Sequence, residues 1–521
     1  MAADSPPSAP EVNPWFVAIA VMSATFMQVL DTTVVNVSLP HIAGSLSASV
    51  NEATWTLTSY LVSNAIILPI TGWLANFFGR KRLLITAVSG FTAASFLCGL
   101  APSLPVLILF RIIQGAAGGA LAPVSQAILL EAFPSKDWGK AMAFWSLGIL
   151  VAPMLGPVIG GWLTDSYSWR WVFYINVPIG LISLVMITLF IFDPPYIRRT
   201  SSRVDYWGLG LLTIGIGALQ TVLDKGQEED WFSSRWLTHL AILSAVTLVI
   251  FLIHELRTHE PVVNLRVLRI RTFGAGVFLT TVLGFVLYGN LVLLPIFLQT
   301  LLGYPALQAG IAMFPRGLGS FLAMPVIGIL VSRLDARKLL VWGMAGAAVS
   351  LFQFSRLNLD AGYWDIFWPQ FLQGVAFSLL FVPLTTATMD PILKEEMGNA
   401  TSIFNLMRNI GGSVGIATVT TLVAWHSQTY INVLGVHVNA YTPQTQAMLD
   451  QLRAISMAHG TDQFTATRQA YAALFDIVVR QATVLSFLQV FRLLGFIFLA
   501  VAPLVLLLKR PGGRVAAVSE Q

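Results

Sequence analysis

Charge is what this sequence most lacks. Lys and Arg number 30 and Asp and Glu 25 among 521 residues, 11% together, less than half the share usual in soluble chains. So few charges cannot cover a soluble surface of this size, which excludes the three or four ordinary domains that the length alone would suggest. A single cysteine, Cys98, excludes an extracellular scaffold built on disulfides. Apolar residues make up 56% of the chain, which excludes disorder. No Lys/Arg run exceeds three residues, so the formal charge of +5 does not mark a nucleic-acid surface. No G-x-x-x-x-G-K loop is present, hence no ATP motor on this chain. His254-Glu255-Leu256-Arg257-Thr258-His259 spaces its histidines five apart, about 140° around a helix, so the pair does not ligate zinc as H-E-x-x-H does. Neither a metal nor a cofactor is expected. What remains is a polytopic membrane protein.

Apolar runs long enough to cross about 30 Å of hydrocarbon fall near 15–37, 53–75, 83–101, 105–129, 140–162, 171–192, 206–223, 236–255, 272–298, 306–331, 338–356, 363–389, 400–425 and 484–508. The expectation is an all-α membrane protein of fourteen helices. An even number of spans leaves both termini on one side. Lys and Arg accumulate in cytoplasmic loops. One set of loops with the C-terminal tail carries nineteen of them, from Arg80, Lys81 and Arg82 through Arg198, Arg199 and Arg203 to Lys509, Arg510 and Arg514, against seven on the other side. Both termini are therefore expected in the cytoplasm, with 1–14 and 509–521 as cytosolic tails. The Pro/Ser/Ala-rich start is no signal peptide.

Landmarks recur along the chain. Gly72 opens GWLANFFGRKRLL and Gly328 opens GILVSRLDARKLL, 256 residues on. Gln114-Gly115 returns as Gln373-Gly374 and Gly139 as Gly398, both at an offset of 259, and Pro123 returns as Pro383 at 260. Four collinear matches indicate a real internal repeat. The offset spans eight helices, an even number, so the repeats are parallel: a six-helix bundle over 15–192 and another over 272–508, with a helix pair inserted at 206–255. Paired bundles rocking about a central site are transporter geometry.

Specific motifs then point to a family. Leu30–Pro40 (LDTTVVNVSLP), Gly72–Arg82, Arg111–Gly115, the span-5 series Gly148, Pro153, Gly156, Pro157, Gly160 and Gly161, and Trp169–Pro178 (WRWVFYINVP) together resemble the major facilitator superfamily. The likeness is to its fourteen-span drug:proton antiporter branch, of the EmrB type. The resemblance implies proton-driven efflux of lipophilic compounds across a bacterial inner membrane, with a periplasmic adaptor and an outer-membrane duct as partners. It also implies that Gly72, Asn76 and Arg80 take part in gating. Asn76 stands where the loop motif usually has Asp, so the charge of that lock is missing.

Asp31 lies deep in the first span, where a carboxylate costs about 2.5–3.5 kcal/mol on insertion scales. It is read as the proton site, with a helix-packing hydrogen bond to Thr32, Thr33 or Asn36 as the alternative. Arg111 in span 4 is its natural partner, unless it only snorkels from the entrance marked by Pro105. Arg316 and Arg408 fall near span ends, suited equally to structural pairing and to transport. Gly148, Pro153, Gly156, Pro157 and Gly160 serve close packing and bending, which here is the same physics as gating. Candidate cavity residues are Phe26, Gln28, Trp55, Tyr60, Asn64, Tyr288, Asn290, Gln370, Gln373 and Phe377. They suggest an apolar, weakly polar cavity for amphipathic molecules. The loop 427–483 is the longest on the outer side, with helix-like parts at 443–457 and 464–481, and is the expected adaptor-docking element. An exporter of one metabolite such as a fatty acid, an uptake symporter, and a polytopic sensor or scaffold are the rivals. The last has no signalling domain to support it.

Overall fold

The computed structural model describes residues 13–193, 205–258, 261–439 and 441–508, and within these every regular element is helical. Most of the two expected tails lies outside the described residues, as do Arg198, Arg199, Arg203 and His259. Fourteen helices carry the fold. They are α1 (Pro14–Ser45), α2 (Trp55–Phe78), α3 (Arg80–Leu100), α4 in two pieces (Leu104–Gly118 and Leu121–Ala132), α5 (Trp138–Ser166), α6 (Asn176–Phe190) and α7 (Tyr206–Lys225). Then come α8 (Arg235–Arg257), α9 (Arg271–Ile296), α10 (Ala306–Arg333), α11 (Ala336–Phe354), α12 (Tyr363–Met389), α13 (Met397–His437) and α14 (Gln463–Val501). Twelve helical segments among the described residues are long and apolar enough to cross a membrane. The two that fall short are α11, which begins with Arg337 and Lys338, and the more polar α13.

The neighbour relations of the first six helices recur eight helices later. α1 packs on α5 as α9 packs on α13, α2 on α4 as α10 on α12, and α3 on α4 and α6 as α11 on α12 and α14. Missing side chains set these seams. A Cβ at Gly160 of α5 would lie 2.8 Å from the Val34 carbonyl oxygen of α1, one at Gly148 would lie 3.0 Å from Met22, and one at Gly156 would strike Thr33. Gly284, Gly411 and Gly415 play the same part between α9 and α13. Pro153 and Pro157 sit inside α5, where they remove backbone donors and let the helix bend around α1.

The two sets of helices meet closely at one end. A Cβ at Gly72 would lie 2.7 Å from Asn399 Cα, and one at Gly139 would lie 2.8 Å from the Gly328 carbonyl oxygen. Thr401 donates to the Pro123 carbonyl at 3.1 Å and Asn405 to Gln126 Oε1 at 2.6 Å. At the opposite end α7 stands between α2 and α13 and holds both. Gln220 donates to Ser413 Oγ at 2.9 Å and Trp231 to Thr421 Oγ1 at 2.9 Å, while Lys225 donates to Thr54 on the α2 side.

One expectation is corrected. The stretch 427–483 is not mainly loop, because α13 continues to His437 and α14 begins at Gln463. The expected helix at 464–481 is the first half of α14, and only Pro443–Ala458 is a separate helix. Extending an existing helix fixes one residue per added hydrogen bond, so polar sequence past the membrane does not stop it. Asp462 starts α14 by accepting from the Phe464 and Thr465 amides, each at 3.0 Å. α13 has 41 residues and α14 has 39, roughly 60 Å each at 1.5 Å per residue, about twice the hydrocarbon thickness. Their ends and Pro443–Ala458 form a projecting helical hairpin.

Candidate functional site

Asp31 and Arg111 are both fully buried and form an ion pair, with Arg111 Nη1 donating to Asp31 Oδ2 at 2.6 Å. The other carboxylate oxygen accepts from Gln114 Nε2 at 3.0 Å and from Asn176 Nδ2 at 2.7 Å. Arg111 is fixed in turn. Its Nε donates to the Thr56 carbonyl at 3.0 Å, Nη1 also donates to Gln114 Oε1 at 2.8 Å, and the guanidinium lies 4.2 Å from the centre of the Tyr60 ring. Asn176 further donates to Ser95 Oγ at 3.0 Å. Helices α1, α4 and α6 thus converge on one carboxylate, with α3 holding Asn176 through Ser95. A buried ion pair tolerates its desolvation best when further hydrogen bonds fill its remaining valences; Gln114 and Asn176 do that for the carboxylate, while Arg111 Nη2 has no acceptor among the described residues.

The partners named for a helix-packing bond are not the ones Asp31 finds: Thr32 and Thr33 donate to backbone carbonyls of their own helix, of Val29 and Leu30 respectively, and the bonds between helices come from Gln114 and Asn176. Asn176 belongs to the Trp169–Pro178 motif and Gln114 to the repeat landmark, yet neither was expected on the carboxylate. Only the folding of α6 against α1 and α3 joins them.

Beside this pair lies a cavity of about 470 Å³. Of the expected cavity residues, Gln28, Tyr60, Asn64, Tyr288 and Phe377 line it, as does Arg111. Five others do not. Phe26 packs between α1 and α5 against Gly148, and Trp55 is exposed at the rim, 5.2 Å from the Lys225 ammonium. Asn290, Gln370 and Gln373 are wholly buried behind the wall, with Asn290 Nδ2 donating to Gln373 Oε1 at 2.8 Å.

Several lining residues went unanticipated. Gln220, Asp224 and Glu228 make the α7 side of the wall a polar surface. Asp224 accepts a hydrogen bond from Thr58 of α2, and Glu228 is bridged to Lys225 at 2.7 Å. Asp224 lies one residue past the expected span 206–223, but the helix runs on to Lys225 and carries it into the wall. Arg316 and Arg408 are not near span ends: both line the cavity and are 5% exposed. Each stands well inside its helix, Arg316 in Ala306–Arg333 and Arg408 in Met397–His437.

At the closed end, Arg80 forms an ion pair with Glu131 and donates to the Lys394 carbonyl at 3.4 Å. Asn76 is half-buried one turn beyond Gly72. His254 donates to or accepts from Asp205 at 2.8 Å, and no cluster of three or more His, Cys, Asp or Glu that could hold a metal occurs among the described residues.

The model of the Major Facilitator Superfamily matches residues 21–416. The chain is 38% identical over 500 residues to multidrug export protein EmrB of Haemophilus influenzae, covering 95% of this chain and 96% of that one. It is 36% identical over 509 residues to fatty acid resistance protein FarB of Neisseria gonorrhoeae, covering 98% of each. Among solved structures, a double Trp mutant of XylE superposes with a TM-score of 0.60 at 15% identity, over 96% of this chain and 97% of that one.

Proposed function

The chain belongs to the major facilitator superfamily, and from that premise we propose that it is a proton-driven exporter of hydrophobic and amphipathic drugs. It is a multi-pass inner-membrane transporter for multidrug efflux, not an enzyme. The observation that carries the coupling reading is the Asp31–Arg111 pair, held at the edge of the cavity by Gln114 and Asn176. Protonation of Asp31 releases Arg111, a member of the cavity wall, and so links proton binding to the shape of the cargo site. Each proton entering down 100 mV releases about 2.3 kcal/mol, enough for more than tenfold concentration of a neutral substrate.

We read α11 and α13 as spans beside the twelve more apolar segments, giving fourteen, with α7 and α8 inserted between two six-helix bundles. Their lateral packing on α12 and α9 supports this reading. With the Lys/Arg-rich loops in the cytoplasm, both termini lie there too, the closed end is cytoplasmic and the cavity faces outward. Gly72, Arg80 and Glu131 then hold the inner gate, and the Arg80–Glu131 pair stands in for the charge that Asn76 lacks. The hairpin that the ends of α13 and α14 form with Pro443–Ala458, within the expected 427–483, is the proposed docking element for a periplasmic adaptor leading to an outer-membrane duct. Tyr441, Phe464, Tyr471 and Phe475 are exposed on it, apolar surface of the kind that marks an interaction site. A dedicated exporter of a fatty acid is the second reading, favoured by the likeness to FarB.

The test is proton flux in proteoliposomes under an imposed pH gradient, with lipophilic cations and fatty acids as cargo. Coupled flux with several cations supports drug efflux, coupled flux with fatty acids alone supports the second reading, and flux coupled to neither overturns both. Removing 441–460 should abolish drug resistance in cells while leaving transport by the purified protein intact. Resistance that survives the deletion places adaptor docking elsewhere.

A further inference from the structure

The cavity wall holds two guanidinium groups that no carboxylate among the described residues neutralises. Arg316 comes from α10 and Arg408 from α13, and each is 5% exposed and lines the cavity. Arg408 donates to Asn405 Oδ1 at 2.6 Å, a neutral acceptor, and stacks 5.3 Å from the Phe381 ring centre. Nη1 of Arg316 finds no acceptor among the described residues, and beside Asn405 the only other hydrogen-bond partner of the Arg408 guanidinium among them is the neutral Tyr288 hydroxyl. Neither residue takes part in an ion pair. The carboxylates of the same cavity are engaged elsewhere, Asp224 with Thr58 and Glu228 with Lys225.

A buried cation without a counter-charge is costly, and in a membrane protein it marks a function. Water in the cavity offers only partial relief. The missing partner is an anion that enters the cavity. The rest of the wall says what kind. Leu287, Leu291, Ile416 and Phe377 give the same cavity an apolar surface, which suits an alkyl or aryl body attached to a small acidic head. Arginine presents a planar fork of donors that matches a carboxylate or sulfonate.

We infer that Arg316 and Arg408 form an anion subsite that takes the acidic head group of an amphipathic monoanion, with its apolar body against α9, α12 and α13. The inference rests on the cavity being the cargo site, as proposed above. It assigns protons and cargo charge to different halves of the protein: Asp31 with Arg111 binds the proton, and the two arginines across the cavity bind the cargo.

The experiment uses the full-length protein in proteoliposomes under a pH gradient, with two labelled probes: anilinonaphthalene sulfonate, a permanent anion, and tetraphenylphosphonium, a permanent cation. The wild type should export the sulfonate. Arg316→Gln and Arg408→Gln should each raise the half-saturating sulfonate concentration about tenfold or more, the loss of a charge-assisted hydrogen bond, and raise that of the cation far less. Arg408→Lys should recover part of the loss. Equal loss of both probes, or a variant that no longer elutes as a folded monodisperse species while its Lys counterpart also fails on both probes, assigns the arginines to structure and overturns the subsite. Sulfonate export abolished merely by replacing gluconate with chloride, with no dependence on the apolar body across an aryl sulfonate series, makes the site one for a small counter-ion and also overturns it. Wild-type export of the cation alone refutes the subsite and leaves the efflux reading standing, whereas export of neither probe refutes the efflux reading itself.

Discussion

The two halves of this protein use the same positions for different chemistry. Asp31, Arg111 and Gln114 of the first half correspond, at one offset of 259 residues, to Asn290, Gln370 and Gln373 of the second. Gln114 donates to Asp31 at 3.0 Å, and in the second half Asn290 donates to Gln373 at 2.8 Å. The interhelical bridge is kept, but the ion pair has become a set of neutral amides. Neutral amides are cheaper to bury than charges, so the second bridge joins helices without responding to protons. The second half keeps its charges elsewhere. Arg316 and Arg408 face the cavity at the repeat positions of Tyr60 and Ile149, both of them cavity residues in the first half. A duplicated fold has therefore kept its packing and divided its electrostatics. One half holds a compensated pair, and the other holds uncompensated positive charge.

Substitutions at the paired positions test that division. The largest effect is expected of Asp31→Asn, which should fold and bind cargo yet lose pH-gradient-driven export down to the level of protein-free vesicles. Unimpaired export would remove this carboxylate as the coupling site and would make the two bridges equivalent. Arg111→Ala should follow, because it leaves a buried carboxylate without its cation. A loss of about 3–5 kcal/mol is expected for breaking such a pair, read as a lower unfolding temperature in a thermal-shift assay, with weakened coupling in flux measurements.

The converse change is next in size. Asn290→Asp places an unpaired carboxylate behind the cavity wall and should destabilise the protein by about 2.5–3.5 kcal/mol. Adding Gln370→Arg should recover much of that, because it rebuilds the first-half pair at the second-half address. Failure of the double variant to recover any stability would mean that the repeat aligns in sequence but not in space. The smallest effect belongs to Gln373→Ala, which loses one neutral hydrogen bond, about 1 kcal/mol of stability, and should leave the pH dependence of export unchanged. A shifted pH profile there would show that the second bridge also senses protons.

Sequence alone determined the solvent, the helices and the repeat. An 11% charge content and recurrent apolar runs leave only a membrane interior, and the period of conserved spacing between Gly72 and Gly328 or Gln114 and Gln373 follows from a duplicated chain. Asp31 and Arg111 were legible as well, because charge at mid-membrane depth is costly wherever it occurs in the sequence. Tertiary structure decided what one-dimensional spacing cannot carry. Asn176 reaches Asp31 across 145 residues, and nothing in a neutral amide flags it in advance. Asn290, Gln370 and Gln373 were expected in the cavity, but which face of a helix meets the void depends on its neighbours, and theirs turn these amides inward. Asp224 fell outside its expected span because apolar runs end before helices do, and Arg316 and Arg408 were expected near span ends although each stands well inside its helix. Spacing along the chain suggested for α7 only half of an inserted pair, whereas packing makes it bond α2 and α13 and wall the cavity. Burial cost is a property of one residue and shows in sequence. Convergence is a property of several helices, and only their packing creates it.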